Sequence, residues 1–382
     1  YDSITVADYL ESRFDDRQHV LRILSAIVIL TMVTAYTAAQ LTASGKAFSS
    51  FLGTSYAAGV LIGAAVILYY TTVGGFKAVA YSDVLQGVLM FSGLLMLPIV
   101  GVSAAGGFSQ LIEQLHSVDS NLLEPMGELG FSVAGVLSAV SFMGIGLAFL
   151  GAPQLLTRFI SASGRTQIVN GSLLAVICII VFDVGAVFAG MAGRSLFPGL
   201  DDPETILPTM ASELLPPVIT GLFLVVVLAA IMSTVDSLLI LVSSAVVRDV
   251  VQKTLRSNLS DSRLSLYGKL TTVVIGAGAL VLALGEVRVV FWFVLFAWSG
   301  LACAFTPIVL CSLFWKRTTR AGAIVGMVSG FLTTVIWVLV FKAGFYDLYE
   351  MLPGFLVGFV TTIGVSLLTE PPAGAAEELE EM

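Results

Sequence analysis

Polar and apolar positions along the chain fall into long alternating blocks. Runs of about twenty apolar residues are separated by short polar segments. On a helix rising about 1.5 Å per residue, such a run crosses the ~30 Å hydrocarbon core of a bilayer. The pattern predicts ten membrane helices, at 20–44, 54–74, 79–104, 130–158, 168–193, 217–247, 266–284, 289–314, 320–341 and 352–369. Residues 1–19, with Arg13, Asp15, Asp16 and Arg17, read as a polar surface lead-in. Residues 20–370 read as one transmembrane domain and 371–382 as an acidic tail. Barrel strands would be shorter and would alternate.

Composition agrees with a membrane-spanning bundle: of 382 residues, 57% are hydrophobic and 12% charged. The net charge of −8 is no signal for nucleic acid, because much of it sits in Glu377, Glu378, Glu380 and Glu381. Cys178, Cys303 and Cys311 lie singly in apolar segments, and His19 and His116 are too far apart to form a metal site. No HExxH, Ser/His pair or Gly-rich phosphate loop supports an enzyme. No obligate protein partner is indicated. With the N-terminus inside, only Lys46, Arg194, Arg288 and Lys342 of the 18 Lys and Arg fall outside. That asymmetry places both ends in the cytoplasm and requires an even number of crossings. The chain opens at Tyr1 without Met or a first membrane helix, as the continuation of something longer would.

The chemistry lies in the polar residues inside apolar runs. The sixth crossing reads Leu-Ala-Ala-Ile-Met-Ser-Thr-Val-Asp-Ser-Leu-Leu over Leu228–Leu239. At about 100° per residue, Ala230, Ser233, Thr234, Asp236 and Ser237 share one side of the helix. A carboxylate at this depth costs about 2.5–3.5 kcal/mol on insertion scales, so Asp236 must face protein or water. Hydroxyls, carboxylates and backbone carbonyls are the hard oxygen donors a small cation takes. The alternative is that Ser233 and Thr234 bond back to their own helix and Asp236 lines a solvated cleft. Asp83, one turn from Gln86 on the third helix, reads as a cation ligand on the inward path or as an exposed first-turn carboxylate favoured by the helix dipole.

The fourth helix carries Gly144, Gly146, Gly151 and Pro153, which invite unwinding beside a cavity or serve close packing. Tyr36, among small residues of the first helix, is a substrate wall or a satisfied core tyrosine. The eighth helix offers Trp298-Ser299-Gly300, and Asp183 on the fifth must find a partner or carry a proton. The segments 105–128 and 197–216 read as external loops, either caps on a pathway or plain connectors, with a short surface helix within 205–215.

These residues in this order resemble the sodium–solute symporter family, and within it the bacterial sodium/proline branch. The match runs from Ala7–Phe14 through Gly74–Gln86, Met143–Pro153, Ala229–Thr234 and Phe296–Trp298 to Leu352–Phe355. The resemblance implies an all-α, leucine-transporter-type bundle of two inverted five-helix repeats, of which the ten helices here lack the first core helices. It implies sodium at Ala230, Ser233 and Thr234, and a second sodium or a proton at Asp83, Ser233, Asp236 and Ser237. It implies a solute among Tyr36, Gly144, Ile145, Phe149, Trp298 and Ser299. Ile145 and Phe149 stand where the proline branch has Trp and Tyr, which implies a cavity with fewer hydroxyl and indole donors. The expected activity is sodium-coupled symport of a small organic solute by alternating access in the bacterial inner membrane. An amino acid such as proline is the first choice, and a carboxylate or vitamin, or a membrane sensor on the same fold, the alternative.

Overall fold

The computed structural model describes residues 3–255, 259–285, 289–345 and 347–370. The acidic tail, and Arg256 and Arg288 of the charge asymmetry, lie outside the described residues. Regular structure among the described residues is helical. In chain order the helices are α1 (Val6–Arg13), α2 (Val20–Leu52), α3 (Tyr56–Ala104), α4 (Phe108–Val118), α5 (Val133–Met143), α6 (Pro153–Ile160) and α7 (Arg165–Leu196). They continue as α8 (Ile206–Leu214), α9 (Pro217–Ser244), α10 (Asp261–Ala283), α11 (Val290–Phe314), α12 (Arg320–Ile336) and α13 (Met351–Leu368). Helices suit hydrocarbon because each backbone amide finds its partner within its own segment.

Among the described residues, nine helical stretches are long and apolar enough to cross a membrane. The sequence predicts ten crossings, and the difference lies in α3. Its 49 residues would span about 74 Å if straight, more than twice the bilayer core. Gly75 breaks it, at φ 62° and ψ −170°, a backbone conformation that a residue with a Cβ rarely adopts. Tyr56 bonds the Ala283 carbonyl at the far end of α10, and Gly101 packs on Met210 of α8 and Ala192 of α7. Gly74–Phe76, between these points, line a cavity with the start of α10 and the end of α6. The chain therefore crosses over 56–74, reverses at Gly75 and crosses back over 76–104.

The fourth crossing is also broken. α5 ends at Met143, Gly144–Leu150 forms a tight 3-10 stretch, and Pro153 opens α6. Proline fits at that first helical position because its missing N–H has no intrahelical partner to lose. α9 runs on as a wider π-helical turn over Ala245–Thr254.

Burial separates the centre of the bundle from its rim. Within its most apolar window α11 is 72% buried, whereas α7 is 11% buried. The main core joins Met32 and Val33 of α2, Val235 and Leu239 of α9, and Phe305 and Ile308 of α11. Gly330 of α12 lies directly on the Cys303 carbonyl of α11, so those backbones meet without intervening side chains.

Two expectations change. Residues 3–19 are not a solvated surface segment, because Val6, Leu10 and Phe14 are buried in the main core. Their i, i+4, i+8 spacing makes an apolar stripe that the surrounding charges obscure. Thr5 caps α1 by accepting from the Asp8 N–H, while the Asp8 carboxylate accepts from Thr5 N–H. The segment 105–128 is not a plain loop either, since α4 buries Leu111 and Leu115 against the far end of the bundle. In 197–216 the expected short helix is α8.

Candidate cation and solute site

α9 passes through the core with its apolar residues turned inward, and its hydroxyls stand on a half-buried side. Ser233 Oγ donates to the Ala230 carbonyl at 3.1 Å and Thr234 Oγ1 donates to the same carbonyl at 3.0 Å. Bonding back to the helix is therefore real, yet it does not exhaust these groups. Each hydroxyl uses its single proton on Ala230 and keeps oxygen lone pairs free to accept. The two hydroxyl oxygens lie within 3.1 Å of the Ala230 carbonyl oxygen, and on the side away from that carbonyl each can still accept a cation.

One turn toward the end that carries α1, a second cluster forms. Asp236 is fully buried. Tyr70 of α3 donates its hydroxyl to Asp236 Oδ2 and also lies 3.3 Å from the Met232 carbonyl. Asp83, on the returning arm of α3, accepts from Arg158 Nη2 at 2.7 Å. The same Nη2 donates to Ser237 Oγ at 2.7 Å. Asp83, Asp236 and Ser237, expected to form one site, are thus brought together by the reversal at Gly75, with a guanidinium among them. Arg158 also stacks over the Phe76 ring, 5.4 Å from its centre. It lines a cavity of about 820 Å³ together with Ser237, Gln154, Gly75 and Arg248.

The solute residues divide into two groups. Trp298 of α11 packs edge-on against Phe149, with ring centres 5.4 Å apart, and its indole Nε1 donates to the Ile145 carbonyl at 3.4 Å. Ile145 and Phe149 both lie in the 3-10 stretch. Tyr36 packs against the main core on α2. Gly144 is buried instead, where a Cβ would meet Leu352 at 2.9 Å, so it serves packing against α13. Ser299 is also buried and donates to the Phe296 carbonyl of its own helix at 2.9 Å.

Asp183 stands on the exposed side of α7. Two site residues escaped the sequence reading, Tyr70 and Arg158. A carboxylate at mid-membrane must be matched by a donor or cation, and Arg158, at the last turn of the broken crossing, supplies one from a distant part of the chain.

A model of the sodium:solute symporter family matches residues 1–330. The high-affinity proline transporter PutP of Bacillus subtilis is 37% identical over 381 residues, covering 98% of this chain and 79% of the relative. The sodium/proline symporter of Salmonella typhimurium is 35% identical over 98% of this chain and 75% of its own length. Among solved structures, that of a substrate-bound, outward-open Na+-coupled sialic acid symporter superposes with a TM-score of 0.76. It shares 22% identity and covers 96% of this chain and 78% of the other. That likeness concerns the fold, and it is the leucine-transporter type.

Proposed function

This chain belongs to the sodium:solute symporter family, and from that premise we propose that it moves a small amino acid, proline first, into the cell with sodium. It is a multi-pass membrane transporter, not an enzyme. The observation that carries the mechanism is the convergence of Ser233 and Thr234 hydroxyls on the Ala230 carbonyl. Sodium sits beside them, on the lone pairs that the Ser233 and Thr234 hydroxyls keep after donating to that carbonyl. The solute lies against Trp298, Phe149 and the Ile145 backbone, with Tyr36 on the opposing wall and Gly144 and Ser299 behind. Asp83, Asp236 and Ser237 form an inner cation position. A non-helical stretch at membrane depth is tolerated where it lines such a site.

Coupling is a free energy shared by two sites. Sodium on α9 raises solute affinity, and solute must raise sodium affinity by the same factor. The membrane is the bacterial inner membrane, with both ends of residues 1–382 on the cytoplasmic side. The charge asymmetry supports that orientation, and the cavity beside Arg158, Arg248 and Lys269 then opens inward. Residues 20–370 are the transport unit, and the acidic segment 371–382 lies outside the described residues. Uptake of labelled proline by the full-length protein in proteoliposomes tests the reading. Uptake should require a sodium gradient, and equal uptake after replacing sodium by choline would reject it.

A further inference from the structure

We propose that Arg158 is a tethered cation that holds the inner position in sodium's absence, so that sodium enters there by exchange rather than addition. This inference rests on the sodium-coupled reading above and adds a residue to it.

The geometry is specific. A single nitrogen, Nη2, donates at 2.7 Å to both Asp83 and Ser237. Those are two of the oxygens an incoming ion would need. A cation on oxygen sits at about 2.3–2.6 Å, so one held by these oxygens would stand within a few ångströms of the positive guanidinium, and the two charges repel. The surroundings nonetheless provide for an ion. Asp83 Oδ1, Asp236 Oδ1 and Gln86 Oε1 are buried, and no hydrogen-bond partner is found for them among the described residues. Asp236 is fully buried, so its unpartnered oxygen faces protein and not water. Buried acceptors left unmatched are costly, and an ion would match several at once.

Arg158 also has somewhere to go. Its side chain is 35% exposed on the wall of the cavity of about 820 Å³. The Phe76 ring already covers the guanidinium from that wall, so a swing toward the cavity need not give up the aromatic face. A small rotation moves the charge out of the carboxylates and into that space. The tether keeps it at high effective concentration, which speeds its return once sodium leaves. Exchange keeps the charge balance of the two carboxylates nearly constant through the cycle. The cavity side therefore never faces an uncompensated pair.

The test has two arms on the full-length protein. In proteoliposomes, Arg158→Met removes the competitor, and the sodium concentration for half-maximal uptake should fall five- to twentyfold. Added guanidinium ion should move that curve back toward wild type. A curve that stays in place or moves to higher sodium overturns the proposal, because loss of a merely structural residue does not tighten sodium. The second arm needs no variant. Phenylglyoxal modification of Arg158 in wild type, read by peptide mass spectrometry, should rise at least threefold in sodium over choline. Unchanged or lower labelling overturns exchange even where Arg158→Met does not fold. Sodium-dependent uptake together with sodium-independent labelling rejects the role of Arg158 alone. Sodium-independent uptake rejects the symport reading itself.

Discussion

Arg22 and Asp249 are 227 residues apart in sequence, and the Arg22 Nη1 donates to Asp249 Oδ1 at 2.6 Å. Both side chains are 2% exposed. The same guanidinium reaches Asp8 at 2.8 Å and Glu11 at 2.5 Å, and Thr5 donates to Asp249 at 2.8 Å. One arginine thereby joins α1, the first turn of α2 and the π-helical end of α9. Arg22→Met strands buried carboxylates and should cost about 3–5 kcal/mol. Thermal unfolding in detergent reads this directly. Arg22→Met paired with Asp249→Leu should recover only the share owed to Asp249, since Asp8 and Glu11 still lose the guanidinium. Arg22→Lys should not restore the network, because one ammonium cannot span three carboxylates. An Arg22→Met protein that melts with wild type would remove the network's structural role.

The same network sets a pH dependence. Burial pushes the Asp8 carboxyl up, but the hydrogen bond and charge of Arg22, with the Ile4 amide and Arg248, outweigh it and hold it below its ordinary 3.8. Glu11 is likewise drawn below 4.5, with burial opposed by Arg22 and His19. A folded-state value below the unfolded one means stabilisation that is complete above the unfolded value and lost as pH falls through the folded one. Docking of α1 should therefore hold at neutral pH and weaken below about pH 4. Amide exchange over residues 6–13, compared at pH 7 and pH 3.5 after correction for intrinsic rate, should show protection lost at the acid end. Equal protection at both would mean that these carboxylates do not hold α1.

Removing one oxygen from the Ala230 convergence should weaken sodium without touching the fold. Ser233→Ala and Thr234→Ala each leave the Ala230 carbonyl in place and lose one acceptor. Half-maximal sodium should rise about tenfold in each, the scale of 1.4 kcal/mol. The double variant should rise further, and melting temperatures should stay within a few degrees of wild type. Wild-type sodium curves in both single variants would take the ion off α9.

Glu204 makes a second lock, at the opposite end of the bundle. Its carboxylate accepts from the Val290 and Phe291 amides at 3.1 and 3.0 Å, and Lys46 Nζ donates to it at 2.7 Å. Asp202 joins at 2.8 Å from the same ammonium. A carboxylate on the first amides of α11 satisfies donors that the helix cannot, and its charge suits that end of the dipole. Glu204→Gln retains an acceptor but loses the charge, and should cost about 1 kcal/mol; Glu204→Ala should cost about 2 kcal/mol. Urea or thermal unfolding that ranks the two equally would show the amide contacts to be incidental.

The crossings were legible because bilayer thickness fixes their length and hydrocarbon their composition. The break at Gly144–Leu150 was legible for a related reason, since glycine and proline punctuate an otherwise apolar run. The pairing of Ser233 and Thr234 with the Ala230 carbonyl follows from i−3 and i−4 spacing on one helix, whereas Asp236 falls into a separate buried cluster. What escaped is what depends on distant partners. Arg158 meets Asp83 across 75 residues, and Tyr70 meets Asp236 across 166. No local period records such pairings. The docking of α1 escaped for the opposite reason, because four charges in 13–17 outweighed the stripe of Val6, Leu10 and Phe14.

That distinction between local pattern and distant pairing bears on the solute. Trp298 is the link between α11 and the 3-10 stretch, through its ring contact with Phe149 and its bond to the Ile145 carbonyl. Trp298→Phe keeps an aromatic ring and removes the indole donor. The Ile145 carbonyl then loses its partner, and the stretch loses one of the contacts that hold its curvature. Solute KM should rise several-fold. Sodium affinity measured without solute should be unchanged, since the Ala230 convergence lies on α9. Sodium affinity at saturating solute should fall toward that solute-free value, because linkage is reciprocal and a weakened solute site can lend less to sodium. The two sodium titrations, read by protection of Trp298→Phe against heat with and without proline, separate this from simple damage. A variant with lower sodium affinity in both titrations would place the indole in the fold of the bundle and not in the solute site.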